Sequence, residues 1–145
     1  MASTPESVRS RVGYLVKQLQ HAFRAAMDER LAEIGLSASQ YALLTAIEEG
    51  PGSSGAELAR RCFITPQSVN GLIASVQSEQ LIERAPSTTH GRVIETKLSK
   101  RGAARLKLAH RCVAEIEDKM LKGLEPSQRL ALAELLRQCI DSIER

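Results

Sequence analysis

Tryptophan is absent from these 145 residues, and aromatic side chains make up only 3% of them. β-Sandwich and barrel cores lean on aromatic and β-branched side chains. Their scarcity here, beside a hydrophobic content of 43%, points to a helical core of Leu, Ile, Val and Ala. Cysteine is sparse as well: Cys62, Cys112 and Cys139 lie far apart, with no CxxC pair. An odd, scattered set argues against a disulfide framework and fits a reducing, cytoplasmic setting. No stretch approaches the roughly 18 apolar residues of a membrane span, so no membrane partner is expected. The opening MASTPESVRSR has no apolar run after its charges, so no signal peptide is expected either. His21, His90 and His110 are dispersed, and His110 and Cys112 face different ways on a helix, which leaves no metal site or cofactor in prospect. No nucleophile elbow, phosphate loop or paired-carboxylate signature occurs, so the chain does not read as an enzyme. A net charge of +3 permits a polyanionic partner without demanding one.

What is present is helical periodicity broken by turn signals. Residues 6–34 read as a long helix whose Val12, Leu15, Val16, Leu19, Phe23, Ala26 and Met27 recur at three- and four-residue steps, with Gly35 as its stop. Ser37 with Gln40 has capping-box spacing and opens a second helix through Tyr41, Leu44 and Ile47. After the turn GPGSS (50–54), Ser54 with Glu57 repeats that spacing before a short helix through Leu58, Ala59 and Arg61. Thr65 can then cap a further helix with Pro66 at its first position. In that helix Val69, Leu72, Ile73 and Val76 face inward, while Gln67, Ser68, Asn70 and Gly71 lie off the apolar face near its N-terminal end. Two helices joined by a turn of about three residues have the layout of a helix-turn-helix.

The runs LIERA (81–85) and VIETKL (93–98) read as strands, joined by a polar loop PSTTHGR (86–92) in which Gly91 can take positive φ. Ser99 caps a long helix over about 100–122, GLEP breaks it, and Pro126 opens a last helix carrying Leu132, Leu135, Leu136, Cys139, Ile140 and Ile143. The expected fold is mainly α with a small β-hairpin wing: a winged helix-turn-helix over 36–100, flanked by terminal dimerisation helices in 1–35 and 101–145. The broad stripes at both ends suggest burial against a second copy.

In order and spacing, residues 36–102 resemble the multiple-antibiotic-resistance-regulator (MarR) family of bacterial transcription factors. The matching fragments are Leu36, Ser37, Gln40 and Tyr41 at the second helix; Glu57, Leu58 and Ala59 before the turn; Gln80, Leu81, Ile82 and Arg84 before the wing, with Gln in place of the family's Gly; and Leu98, Ser99 and Gly102 after it. The wing departs from the pattern: His90 and Gly91 stand where the family commonly has Asp and Arg, and Arg92 keeps the second Arg. The loss of that internal ion pair predicts a wing tip that is mobile without DNA.

The resemblance implies a triangular homodimer that binds double-stranded DNA at a pseudo-palindromic operator, usually as a repressor, and releases it when a small molecule or oxidant binds. Within that frame Thr65, Gln67, Ser68, Asn70, Gly71, Arg84, His90 and Arg92 are the candidate DNA contacts. Gln and Asn can pair with adenine N6 and N7, and a wing Arg can enter a narrow minor groove. The bland alternative is a solvated face. Tyr14, His21, Arg24 and Tyr41 are the groups of that region most able to hold a small aromatic or anionic effector. Cys62, in the turn before the fourth helix, reads as a small buried hydrophobe or, alternatively, as a redox switch; Arg60 and Arg61 precede it and could lower its pKa. Cys112 and Cys139 lie on apolar stripes and read as core.

Residues 36–100 hold six basic and six acidic residues, so any DNA affinity depends on where charges sit. That neutrality and the missing wing Asp are the features that favour a rival reading, a helical interaction module that has lost DNA binding.

Overall fold

The computed structural model describes residues 7–145. A 3-10 turn at Val8–Ser10 precedes α1 (Val12–Ala32), followed by α2 (Ala38–Glu49), α3 (Gly55–Arg61), α4 (Pro66–Ser78), β1 (Ile82–Pro86), β2 (Ile94–Leu98), α5 (Lys100–Met120) and α6 (Pro126–Glu144). The first long helix thus begins at Val12 rather than at residue 6, which lies outside the described residues. Arg11 is extended and separates α1 from the 3-10 turn.

Local chemistry explains the boundaries. Both capping boxes form: the Ser37 and Ser54 hydroxyls accept from the backbone N–H of Gln40 (3.0 Å) and Glu57 (3.2 Å). Asp28 of α1 adds a carboxylate oxygen 2.7 Å from the Ala38 N–H, placing negative charge at the N-terminus of α2. Three helices end in the same double-bonded cap, with the residue after the helix in the left-handed region. At Gly35 (φ 74°), Phe63 (φ 56°) and Gln80 (φ 61°) the chain reverses, and the following N–H reaches back five residues to Leu31, Ala59 and Val76. Only the first of these is glycine. Gly91, which can take positive φ, does not do so; Gly52 (φ 85°) does, in the turn after α2.

The core centres on α2, whose Leu43, Leu44, Ala46 and Ile47 meet Leu58 of α3, Val69, Ile73 and Val76 of α4, and Leu106 and Ala109 of α5. α1 buries only Met27 and Leu31. β1 and β2 pair antiparallel with Ile82 opposite Leu98, and Ser53 bridges to Thr96, so the loop after α2 is pinned to the middle of β2. α6 buries nothing against its own chain. Cys112 is buried as expected, but Cys139 is exposed, because α6 fully buries no residue among the described ones.

Candidate nucleic-acid interface

α4 presents two unlike faces. Val69, Ile73 and Val76 are buried, whereas Gln67, Asn70, Gly71 and Ala74 are exposed at positions i, i+3, i+4 and i+7. The outward row therefore has two short amides near the N-terminal end and almost no side chain behind them. Space beside Gly71 is open, since an added Cβ would meet nothing within 4 Å. Glycine in a helix interior is destabilising by about 1 kcal/mol relative to alanine, so its use on an open face favours close approach over stability. Ala74, which sequence reasoning passed over, completes this flat strip.

Thr65 is spent on the helix itself. Its hydroxyl accepts the Ser68 N–H (3.1 Å) and donates to the Ser68 hydroxyl (2.9 Å). Ser68 can still donate outward. Gln67 and Asn70 form no side-chain hydrogen bond with another described residue, so all their donors and acceptors are available.

The wing sits after this helix. Arg84 is half-buried, with Nε donating to the Thr96 hydroxyl (3.1 Å) across the hairpin. That bond orients its guanidinium from the middle of β1 rather than from the tip. His90 and Arg92 are exposed at the tip. The missing Asp does not leave this loop without internal support. The buried Ser87 hydroxyl accepts from the N–H of Thr89 (3.2 Å) and of His90 (3.1 Å), and the Ser87 N–H donates to the Val93 carbonyl (2.7 Å). A serine inside the loop thus holds the tip through backbone hydrogen bonds.

The candidate effector residues do not converge. Tyr14 and His21 are exposed on α1, and Arg24 donates to the Ser39 hydroxyl (2.5 Å). Tyr41 instead belongs to a chain of contacts that joins α2 to α5: its hydroxyl lies 2.8 Å from His110 Nδ1, and His110 Nε2 lies 2.9 Å from Glu48. The two rings meet edge to face at 5.4 Å. Burial pushes the Tyr41 phenol above its ordinary pKa. His110 and Glu48 were invisible to sequence reasoning, because 69 and 62 residues separate the bonded pairs.

A separate cavity of about 280 Å³ lies between α1 and α5. Leu19, Phe23, Ala26, Ile116 and Met120 form its walls, and Lys119 is its one charged group. It uses the α1 face beside the one that carries His21 and Arg24. Cys62 ends α3, half-buried, and burial pushes its thiol up. Arg61, which could have lowered that pKa, turns away to donate to the Ala46 carbonyl at the end of α2 (3.3 Å).

Residues 34–93, which span α2, α3, α4 and β1, match the MarR family model. By that match the chain resembles the MarR family. Among its relatives, the HTH-type transcriptional repressor NicR of Pseudomonas putida is 26% identical over 142 residues, covering 98% of this chain and 90% of NicR. The Mycobacterium tuberculosis MarR protein Rv2887, solved in complex with salicylic acid, superposes with a TM-score of 0.75 at 27% identity, over 90% of this chain and 96% of that one. CouR, a repressor solved on a 23-mer DNA duplex, superposes with a TM-score of 0.85 over 97% of this chain and 99% of its own. At 22% identity, CouR speaks to the fold alone.

Proposed function

We propose that this chain is a MarR-family transcriptional repressor that binds double-stranded DNA as a homodimer on a pseudo-palindromic operator. The observation that carries this reading is the outward face of α4: unengaged Gln67 and Asn70 at the N-terminal end, and Gly71 and Ala74 keeping the rest flat. An amide can pair with an adenine edge in the major groove, and a flat face lets the helix sit deep enough to do so. Residues 36–100 form the DNA-binding lobe, with Arg92 and His90 of the wing beside the adjacent backbone or minor groove. The flanking regions, 1–35 and 101–145, form the dimer. α6 supports this, since Leu130, Leu135, Leu136, Ile140 and Ile143 are all exposed on a helix that buries nothing at home. NicR, matched nearly end to end, is itself a repressor.

DNA affinity falls when a small aromatic acid binds. The α1–α5 cavity suits such a ligand, with apolar walls for a ring and Lys119 for a carboxylate. Rv2887, of similar fold and more than a quarter identical, holds salicylic acid. A thiol switch at Cys62 is disfavoured, since a half-buried thiol with a raised pKa holds little thiolate.

The test is selection of bound duplexes from random DNA by the purified protein, followed by titration of the resulting complex with salicylate. The expected outcome is an inverted repeat occupied by one dimer and released by the acid. A protein that enriches no sequence would reject the DNA-binding reading.

A further inference from the structure

Phe63 is 92% exposed, the most exposed of the large hydrophobic side chains in the described residues. It stands in the turn between α3 and α4, two residues before the cap of α4, with φ of 56°. Its backbone makes the helix-ending cap: the Phe63 N–H donates to Arg60 (3.2 Å) and the Ile64 N–H to Ala59 (3.1 Å). Neither bond needs the ring. The left-handed conformation is one that glycine or asparagine adopts more readily than a residue with a bulky side chain. The ring also adds nothing to the core, since Ile64 and Cys62 on either side are the residues that pack inward. Folding therefore accounts for a left-handed residue at 63 but not for a phenyl group.

Its surroundings point to one occupant. Between Glu57 and Glu79 no acidic residue occurs, and the charged residues are Arg60 and Arg61. The other large apolar side chains left exposed among the described residues lie on the N-terminal 3-10 turn, α1, α5 and α6, apart from Val93 and Ile94 of the wing. Phe63 is thus a lone apolar group on the acid-free end of the helix pair, continuous with exposed Thr65, Gln67 and Ser68. The geometry points to Phe63 as a DNA-contacting residue that packs its ring on a thymine C5-methyl at the edge of the major groove. There an apolar side chain distinguishes T from C by contact rather than by hydrogen bonding. This rests on the DNA-binding reading above and adds an apolar determinant to its amide readout.

The experiment uses the full chain and the operator it selects. Phe63→Gly removes the ring and suits the backbone, so its thermal midpoint should equal or exceed that of the parent, while operator affinity falls roughly tenfold or more. Because the contact is not ionic, the salt dependence of binding should keep its slope. Deoxyuridine is then placed for thymidine one position at a time in both half-sites. One symmetric pair should weaken the parent by about fourfold per methyl lost and leave Phe63→Gly unchanged. Phe63→Gly binding the operator as tightly as the parent, or uracil weakening both proteins alike, overturns the proposal. A parent that selects no DNA overturns the DNA-binding reading itself and this proposal with it.

Discussion

Gly102 packs directly on the carbonyl of Leu81. A Cβ added at Gly102 would fall 2.8 Å from the Leu81 carbonyl carbon and closer still to its oxygen. That oxygen accepts the Ser99 N–H (3.0 Å), and the Ser99 hydroxyl donates to the neighbouring Gln80 carbonyl (2.7 Å) while capping α5. The end of α4 and the start of the long α5 helix are therefore one joint. Gly102→Ala must push α5 off this joint, because the carbonyl is backbone and already bonded. Destabilisation of about 2–4 kcal/mol is expected from such overpacking, measured as a lowered urea midpoint with unchanged slope. An unchanged midpoint would show that the joint yields freely.

The terminal helices give a second prediction. α6 has no core of its own in the chain, so its apolar face must be covered for the helix to persist. Ile140→Glu should shift the protein from dimer to monomer in sedimentation at micromolar concentration, with loss of helical signal, while Glu134→Lys on the same helix should not. A wild-type protein that sediments as a stable monomer would contradict the assignment.

Cys62 should behave as a packing residue. With its thiol pushed up by burial, little thiolate forms near neutral pH. Cys62→Ser should retain DNA binding, and peroxide should change binding equally in the two proteins. Peroxide release that disappears in Cys62→Ser would restore the redox reading. Cys139, exposed on α6, is the site to monitor for modification in any monomer present.

Tyr41 links pH to stability at the alkaline end. Its phenol ionises less readily in the folded chain than in the unfolded one, because burial penalises the phenolate. The folded value is raised, so the stabilisation is fully present below the ordinary tyrosine value of about 10 and is lost as pH climbs from there through the folded value. The late-titrating component of phenolate absorbance should vanish in Tyr41→Phe and remain in Tyr14→Phe. That variant also loses the bond to His110, at an expected loss of about 1 kcal/mol.

Much of the scaffold was legible because its signals are local. Ser37–Gln40, Ser54–Glu57, Thr65–Pro66 and Ser99 each sit at their helix starts as their spacing implied. The helix stops at Phe63 and Gln80 were hidden, because the left-handed residue there is not the glycine that would announce it. The freedom of Gly91 goes unused, since the loop around it closes through the Ser87 side chain without positive φ. Tyr41 was singled out, yet its partners His110 and Glu48 could not be found from spacing, since tertiary packing alone brings them together. Tyr14, His21 and Arg24 lie exposed on α1, and the apolar cavity opens on the face next to them.

The central claim is that the outward amides of α4 read base sequence. The most direct measurement compares Asn70→Ala and Gln67→Ala with the parent on the selected operator and on random duplex of equal length, at one fixed salt concentration. Each variant should lose about 1–3 kcal/mol on the operator and far less on random DNA, whereas Arg92→Ala should weaken both, most where an A·T-rich minor groove meets the wing. Equal losses on operator and random DNA, or none on either, would contradict the account.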